Sequence, residues 1–355
     1  MIGMIVVRAG EAVVKAASVP SFERPANDPD CKADGVKPQA SAGYTRLRRD
    51  MTRTMIGKAA RERRTRWIGD IRKLSGDFGM DATRLQTKLE EEVDKGGGSV
   101  LRDHLRLCGA IPEGYRHDSS EEKLYSKYTD VLLSLAFRLL GVRSAVLTER
   151  ADAADVECWA DDYEFVADAK AFRLSRTAKN QKDFKVSAMH KWKRGRHHAM
   201  VVCPLYQLPS RSSQIYQQAI DEDVYISSFS HLSLLTAFAE KSSQEAARSL
   251  LRQTFKVVDT LHPSKDAQSY WRAINQTFLN FDPAIAKLWR DEKQASSESV
   301  LDAKEEALLV LSEERRRILA MSHQQAIQAL VMVHKLEARE KTVSAVCDNG
   351  LMEIS

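Results

Sequence analysis

Three residues stand at spacings suited to handling a phosphate ester: Asp155, and Asp168 and Lys170 flanking Ala169. In a strand over residues 163 to 170, side chains alternate, so Asp168 and Lys170 emerge on one face and Phe165, Ala167 and Ala169 on the other. A carboxylate then lies beside an ammonium. The first suits a hard cation such as Mg²⁺, and the second can orient or deprotonate a water for attack on phosphorus. Upstream, Asp161-Asp162 separates two short apolar-rich runs. If it turns the chain as a two-residue hairpin, Asp155 falls directly opposite Asp168. Their Cβ atoms would then lie about 4.5 to 5.5 Å apart, where like charges repel unless a cation sits between them. The same register gathers Val156, Cys158, Ala160, Tyr163, Phe165 and Ala167 on an apolar side, with Asp155, Glu157, Glu164, Asp168 and Lys170 on a polar one. Glu157 and Glu164 are rival carboxylates there. Asp-Asp is a weaker turn signal than Asn-Gly, so a longer loop in the same register is an alternative, whereas a slip of one residue would take the group apart.

The elements that must hold this group are a mixed sheet and flanking helices. Strands are expected at 142–147, 155–159, 163–169, 199–203 and 224–228, with helices over 180–194 and 210–220 between the later ones. A strong helix from Ser120 to Leu140 precedes them, with Leu124, Tyr128, Val131, Leu132, Leu135 and Leu139 on one side and Gly141 as terminator. The chain divides into a poorly ordered extension (1–58), a helical lead-in interrupted by Gly96-Gly97-Gly98 (59–118), a catalytic α/β core (119–230) and a helical region (231–355). In the last, helical patterns cover 232–255, 267–281 and a long charged stretch over 296–339; it carries no recognisable chemistry of its own and reads as packing, or as a DNA-embracing or dimer-forming layer.

At 355 residues the chain can bury a substantial core. Its net charge of +5 does not by itself indicate a nucleic-acid partner, but the distribution of charge does. From Lys170 to Arg196 there are ten Lys or Arg and one acid, Asp183, a density that a polyphosphate substrate favours. Five cysteines at 31, 108, 158, 203 and 347 form no Cys-x-x-Cys pair, which speaks against zinc and for reduced thiols. The opening Met-Ile-Gly-Met-Ile-Val-Val is too short for a secretory signal, and no apolar stretch approaches a bilayer span, so a soluble, cytoplasmic protein without membrane association is expected.

Asp155, the Asp168-Ala169-Lys170 tripeptide and the order helix, three strands, helix, strand resemble the PD-(D/E)xK nuclease superfamily. More narrowly, Ala167 to Val186, with Ser120-Glu-Glu-Lys-Leu-Tyr-Ser-Lys127 and Ala154-Asp155-Val156, is similar to the HindIII type II restriction endonuclease family. The proline that usually precedes the first aspartate is replaced by Ala154. The resemblance implies Mg²⁺-dependent double-strand cleavage of DNA at a short palindrome, 5′-AAGCTT, by a homodimer that works alongside a cognate DNA methyltransferase. It implies metal ligation by Asp155, Asp168 and the Ala169 carbonyl, with Lys170 as catalytic lysine. Glu122 can add a carboxylate from the preceding helix, or instead serve as capping-box partner of Ser119. Base and phosphate contacts are expected from Arg173, Arg176, Lys179, Asn180, Gln181, Lys182 and Lys185, and phosphate contacts from Lys191, Lys193 and Arg194. The competing readings are a repair or junction-resolving nuclease and a non-cleaving DNA-binding protein on the same fold.

Overall fold

The computed structural model describes residues 54–147, 153–176 and 181–345. Most of the expected extension therefore lies outside the described residues, as do Lys179 and Asn180 and the side chain of Gln181. The fold is mixed α/β, mostly helical, with a five-stranded mixed sheet flanked by helices, as expected of a restriction-endonuclease-like core.

Three helices lead in: α1 (Lys58–Ile71), α2 (Phe78–Leu107) and α3 (Ser120–Leu139). The glycine triplet does not end α2; the helix runs on through a kink at Gly97, whose φ of 67° suits a residue without Cβ. Strands β1 (Arg143–Val146), β2 (Val156–Trp159) and β3 (Glu164–Ala169) form an antiparallel meander. β4 (His198–Cys203) and β5 (Val224–Ser228) then add in parallel beside β3, giving the order β1-β2-β3-β4-β5. Each parallel connection holds a short helix, α4 (Val186–Trp192) or α5 (Gln214–Asp221).

The single helix expected over 180–194 is instead a 3₁₀ turn, Gln181–Phe184, followed by α4. Lys185 between them has φ 51°, left-handed backbone that an α-helix cannot carry through. The stretch from 232 to 255 likewise divides, into α6 (Phe229–Lys241) and α7 (Gln244–Thr260). Ser243 makes that break, its hydroxyl accepting from the Ala246 amide at 3.0 Å as the cap of α7. Helices α8 (Ala267–Phe281), α9 (Ile285–Leu319), α10 (His323–Val333) and α11 (Leu336–Ser344) follow.

One hydrophobic cluster runs from Trp67 to Ile285 and includes the strand residues of the sheet. Phe165 in β3 meets Phe137 of α3 edge-on, with centroids 5.0 Å apart, and Phe255 of α7 at 5.2 Å. Helix α3 is buried on most of its circumference from Tyr128 to Phe137, beyond the single stripe that its sequence suggests. Beyond β3 the chain is held by a small parallel bridge, in which the Ile111 amide donates to the Phe172 carbonyl and the Phe172 amide to the Gly109 carbonyl, each at 3.2 Å.

Candidate active site

The hairpin register is the one that the spacing predicts. Val156 pairs with Ala167 and Cys158 with Phe165, and the Ala160 amide donates to the Tyr163 carbonyl at 2.9 Å, which leaves Asp161-Asp162 as the turn. Continuing that register sets Asp155 opposite Asp168. Val156, Cys158, Tyr163, Phe165 and Ala167 are all buried. Val166, on the same face as Asp168, is buried too, so that face is polar only at its end.

Asp168 is fully buried, and its Oδ2 accepts from the Lys170 ammonium. Its Oδ1 is enclosed and, among the described residues, meets no amide, ammonium or alcohol donor. Asp155 and Asp130 bring their carboxylates to it, and one oxygen of each of the three acids lies within 4.8 Å of the others. Asp130 comes from α3 and was not expected. Lys127, one turn before it, approaches Asp130 at 3.5 Å and Asp155 at 3.9 Å and donates to the Leu147 carbonyl at 3.3 Å.

These charges set each other's protonation. Burial, then the neighbouring Asp168, pushes Asp155 up to about 7. Burial and the Asp155 carboxylate drive Asp130 well above the usual range. For Asp168, burial acts upward too, but the Lys170 ammonium and the hydrogen bond from Asp155 outweigh it, holding the carboxyl below its usual value. Burial works to neutralise Lys170, and the three aspartates overcome it, keeping the ammonium charged. The cluster thus contains more carboxylate than Lys170 and Lys127 can balance. A hard divalent cation fits it: the donors are all oxygen, and among the described residues Asp168 Oδ1 meets no amide, ammonium or alcohol donor.

Glu122 lies elsewhere. It precedes Asp130 by two turns of α3, about 12 Å along the axis. Its Oε2 accepts from the Asp118 amide at 2.7 Å and its Oε1 from Arg173 at 3.3 Å, while its own amide donates to Ser119 Oγ at 3.3 Å. This is the capping arrangement weighed against a ligand role, shifted so that Asp118 receives the carboxylate. Glu157 is paired with Arg196 at 2.9 Å, and Glu164 is exposed.

The basic residues divide by position. Arg173 follows shortly after the active strand, and its buried Nη2 meets no acceptor among the described residues. Arg176 bonds Asp183 and covers the Phe172 ring, with 5.5 Å from the guanidinium carbon to the centroid. Lys182 and Lys185 are exposed, and the Lys185 charge is felt at Asp168. Lys191, Lys193 and Arg194 lie at the other end of α4, just before the start of β4, so they approach the sheet edge away from Lys170. Lys193 is engaged there, donating to Asp223 Oδ2 at 3.1 Å and to the carbonyls of Glu222 and Asp223 at 3.1 and 3.0 Å.

Asp130 left one signal in the sequence. It is the lone acid in the otherwise apolar or small run Val131-Leu-Leu-Ser-Leu-Ala-Phe137 and the Tyr128-Thr129 before it. An acid in such a stretch is buried, and so must meet a cation or a proton.

A buried Asp168 near the end of β3, a half-buried Asp155 just before β2 and Lys170 just after β3, on a mixed sheet that continues in parallel, define a nuclease core of the restriction-endonuclease type. Residues 65–347 match the family model described as HindIII restriction endonuclease. The type II restriction enzyme HindIII of Haemophilus influenzae is 32% identical over 248 residues, which cover 68% of this chain and 81% of that protein. The chain belongs to the HindIII restriction endonuclease family and is a type II restriction enzyme, a site-specific deoxyribonuclease. Among the described residues no helix is long and apolar enough to cross a membrane.

Proposed function

We propose that this enzyme cuts both strands of DNA with Mg²⁺, as a homodimer, at 5′-AAGCTT, and that a cognate methyltransferase protects the same site in its host. The observation that carries the metal reading is the gathering of the Asp130, Asp155 and Asp168 carboxylates, one oxygen of each within 4.8 Å of the others. Asp155 and Asp168 hold the ion with the Ala169 carbonyl, and Asp130 supplies the third carboxylate in place of Glu122. A Mg²⁺ ion bound there supplies electrophilic charge to the scissile phosphate and acidifies water. Lys170, kept cationic by Asp168, orients the attacking water and opposes the charge that builds on the phosphoryl oxygens. The catalytic core comprises residues 119–230. Arg173, Arg176, Lys179, Asn180, Gln181, Lys182 and Lys185 supply the DNA contacts nearest the cut, with Asn180, Gln181 and their basic neighbours of the type that reads adenine and guanine edges. Lys191 and Arg194 are phosphate contacts set further out, while Lys193 serves mainly to tie α4 to the sheet.

The test is plasmid DNA of known sequence incubated with the enzyme and Mg²⁺. Discrete fragments ending within AAGCTT are expected, with Lys170→Ala and Asp168→Asn each lowering cleavage by several orders of magnitude while specific binding survives. Fragment ends at another hexamer would remove the assigned target but leave the chemistry. Near-normal cleavage by either variant would remove the active-site assignment.

A further inference from the structure

We propose that the cavity between α6, α8 and α9 is a binding site for an adenine nucleotide. It measures about 420 Å³, within the span of roughly 300 to 1,000 Å³ usual for small-molecule sites. Leu205, two residues beyond β4, lines it together with Ser230 and His231, which follow β5 at the start of α6. The cavity therefore stands at the carboxyl ends of the parallel strands, the sheet edge at which β3 presents Asp168 and Lys170. Ligands of open α/β sheets gather at that edge.

Its walls are aromatic. His231 stacks on Trp271, with centroids 5.5 Å apart and planes at 22°, and meets Trp289 edge-on at 5.6 Å. Both tryptophans are half-buried and line the cavity, a setting that takes up a flat π-system. Both nitrogens of His231 are engaged, by Ser228 Oγ and Asn275 Oδ1, so it offers a ring and no hydrogen bond. Two other lining groups stay available. Glu292 is 5% exposed; its Oε2 accepts from Arg106 at 2.7 and 3.0 Å, whereas its buried Oε1 meets no donor among the described residues. Asn275 turns its Oδ1 to His231, and its Nδ2 donates to no described residue. An enclosed oxygen without a donor is costly, and a ligand N–H removes that cost. Arg106 already balances the Glu292 charge and Lys293 stands exposed at the rim, which disfavours a cationic ligand and suits one with a phosphate tail. One free acceptor and one free donor match adenine, whose amino group lies beside ring-nitrogen acceptors. Guanine brings two donors to its pairing edge and thymine two acceptors around one donor, so each would leave a group unpaired. Cytosine matches in pattern but lays a smaller ring against tryptophan. A free mononucleotide and an unpaired adenine in DNA share this chemistry.

Titration calorimetry of the full chain with dAMP tests the site. Saturable binding of one dAMP per chain is expected, at least about tenfold tighter than dGMP or deoxyribose phosphate. Asn275→Asp keeps the oxygen that accepts from His231 and removes the amide donor, and Trp289→Ala removes a stacking wall. Each should weaken dAMP at least about tenfold, and Trp289→Phe should recover most of the loss, with melting temperatures showing that each variant folds. Equal affinity for dAMP, dGMP and the sugar phosphate would overturn the base reading. Binding of dAMP untouched in both Asn275→Asp and Trp289→Ala would overturn the cavity, as would no binding at millimolar dAMP. Competition with oligonucleotides then tells the two sources apart. Stronger displacement of dAMP by a duplex with one bulged adenine than by its fully paired counterpart assigns the cavity to an unpaired base of DNA; equal displacement by the two, or none, assigns it to the free nucleotide.

Discussion

Metal binding by this enzyme should release protons, in an amount set by Asp155. Without a cation its carboxyl is pushed up to about 7 by burial and by Asp168. Only the ionised form is a good ligand, so apparent affinity scales with the ionised fraction. That fraction is about 0.9 at pH 8 and about 0.1 at pH 6, so Mg²⁺ should bind about tenfold more weakly at pH 6 from this residue alone. Asp130, whose carboxyl is pushed up further, makes the dependence steeper than one decade per pH unit if it too must ionise. Asp168 contributes no proton, because Lys170 holds it ionised. Titration calorimetry of the DNA-free protein with Mg²⁺, repeated in buffers of different ionisation enthalpy, reads the proton count directly. At pH 7 at least about half a proton per site should leave, and Asp155→Asn should lower the count. Affinity that stays flat from pH 6 to 8 with no proton release would refute the electrostatic account of the cluster.

Asp130→Asn should reduce Mg²⁺ affinity by about tenfold or more, whereas Glu122→Gln should leave it within about threefold and cost about 1 kcal/mol of stability at the start of α3; calorimetry and urea unfolding separate the two. Replacing Mg²⁺ with Ca²⁺ should allow specific DNA binding in a mobility-shift assay without cutting, and efficient Ca²⁺-only cleavage would contradict the metal chemistry. His231 is buried, with Nδ1 2.7 Å from Ser228 Oγ and Nε2 3.0 Å from Asn275 Oδ1, and burial lowers it to about 4. The unfolded chain therefore binds the proton first, so stability should fall as pH drops from about 6.5 to 4, by up to about 3 kcal/mol, and His231→Gln should flatten that part of the curve. Phe165→Ala, which empties a fully buried site between Phe137 and Phe255, should cost about 3 to 5 kcal/mol in denaturant unfolding.

The hairpin was legible because a sheet's side-chain period is two and leaves little freedom. Once Asp161-Asp162 turns the chain, the partner of Asp155 follows by counting, and the buried apolar face of Phe165 and Ala167 locks the register. The strands were readable for the same reason. What sequence hid was long-range. By helical spacing Asp130 lies opposite the stripe of Leu124, Tyr128 and Leu132, yet α3 is enclosed on nearly all sides there, and that depends on where the other elements pack. The left-handed turn at Lys185 carries no glycine or asparagine to announce it. Lys191, Lys193 and Arg194 looked like part of one basic run, but a helix separates them from Lys170 by the depth of the sheet.

The small bridge at Phe172 has a bearing on how this enzyme could be diversified. It pins the chain two residues after Lys170, and at the far side the left-handed Lys185 and the buried Val186 anchor α4. Of the described residues between them, Ser175 donates through its amide and hydroxyl to Glu113 at 2.8 and 2.7 Å and Phe184 is fully buried, ties that lie outside the carboxylate cluster. A side chain exposed there, such as Lys182, can be exchanged without moving Asp168. On the DNA contacts proposed above, exchange of such exposed side chains would let target choice drift while the cutting apparatus stays put.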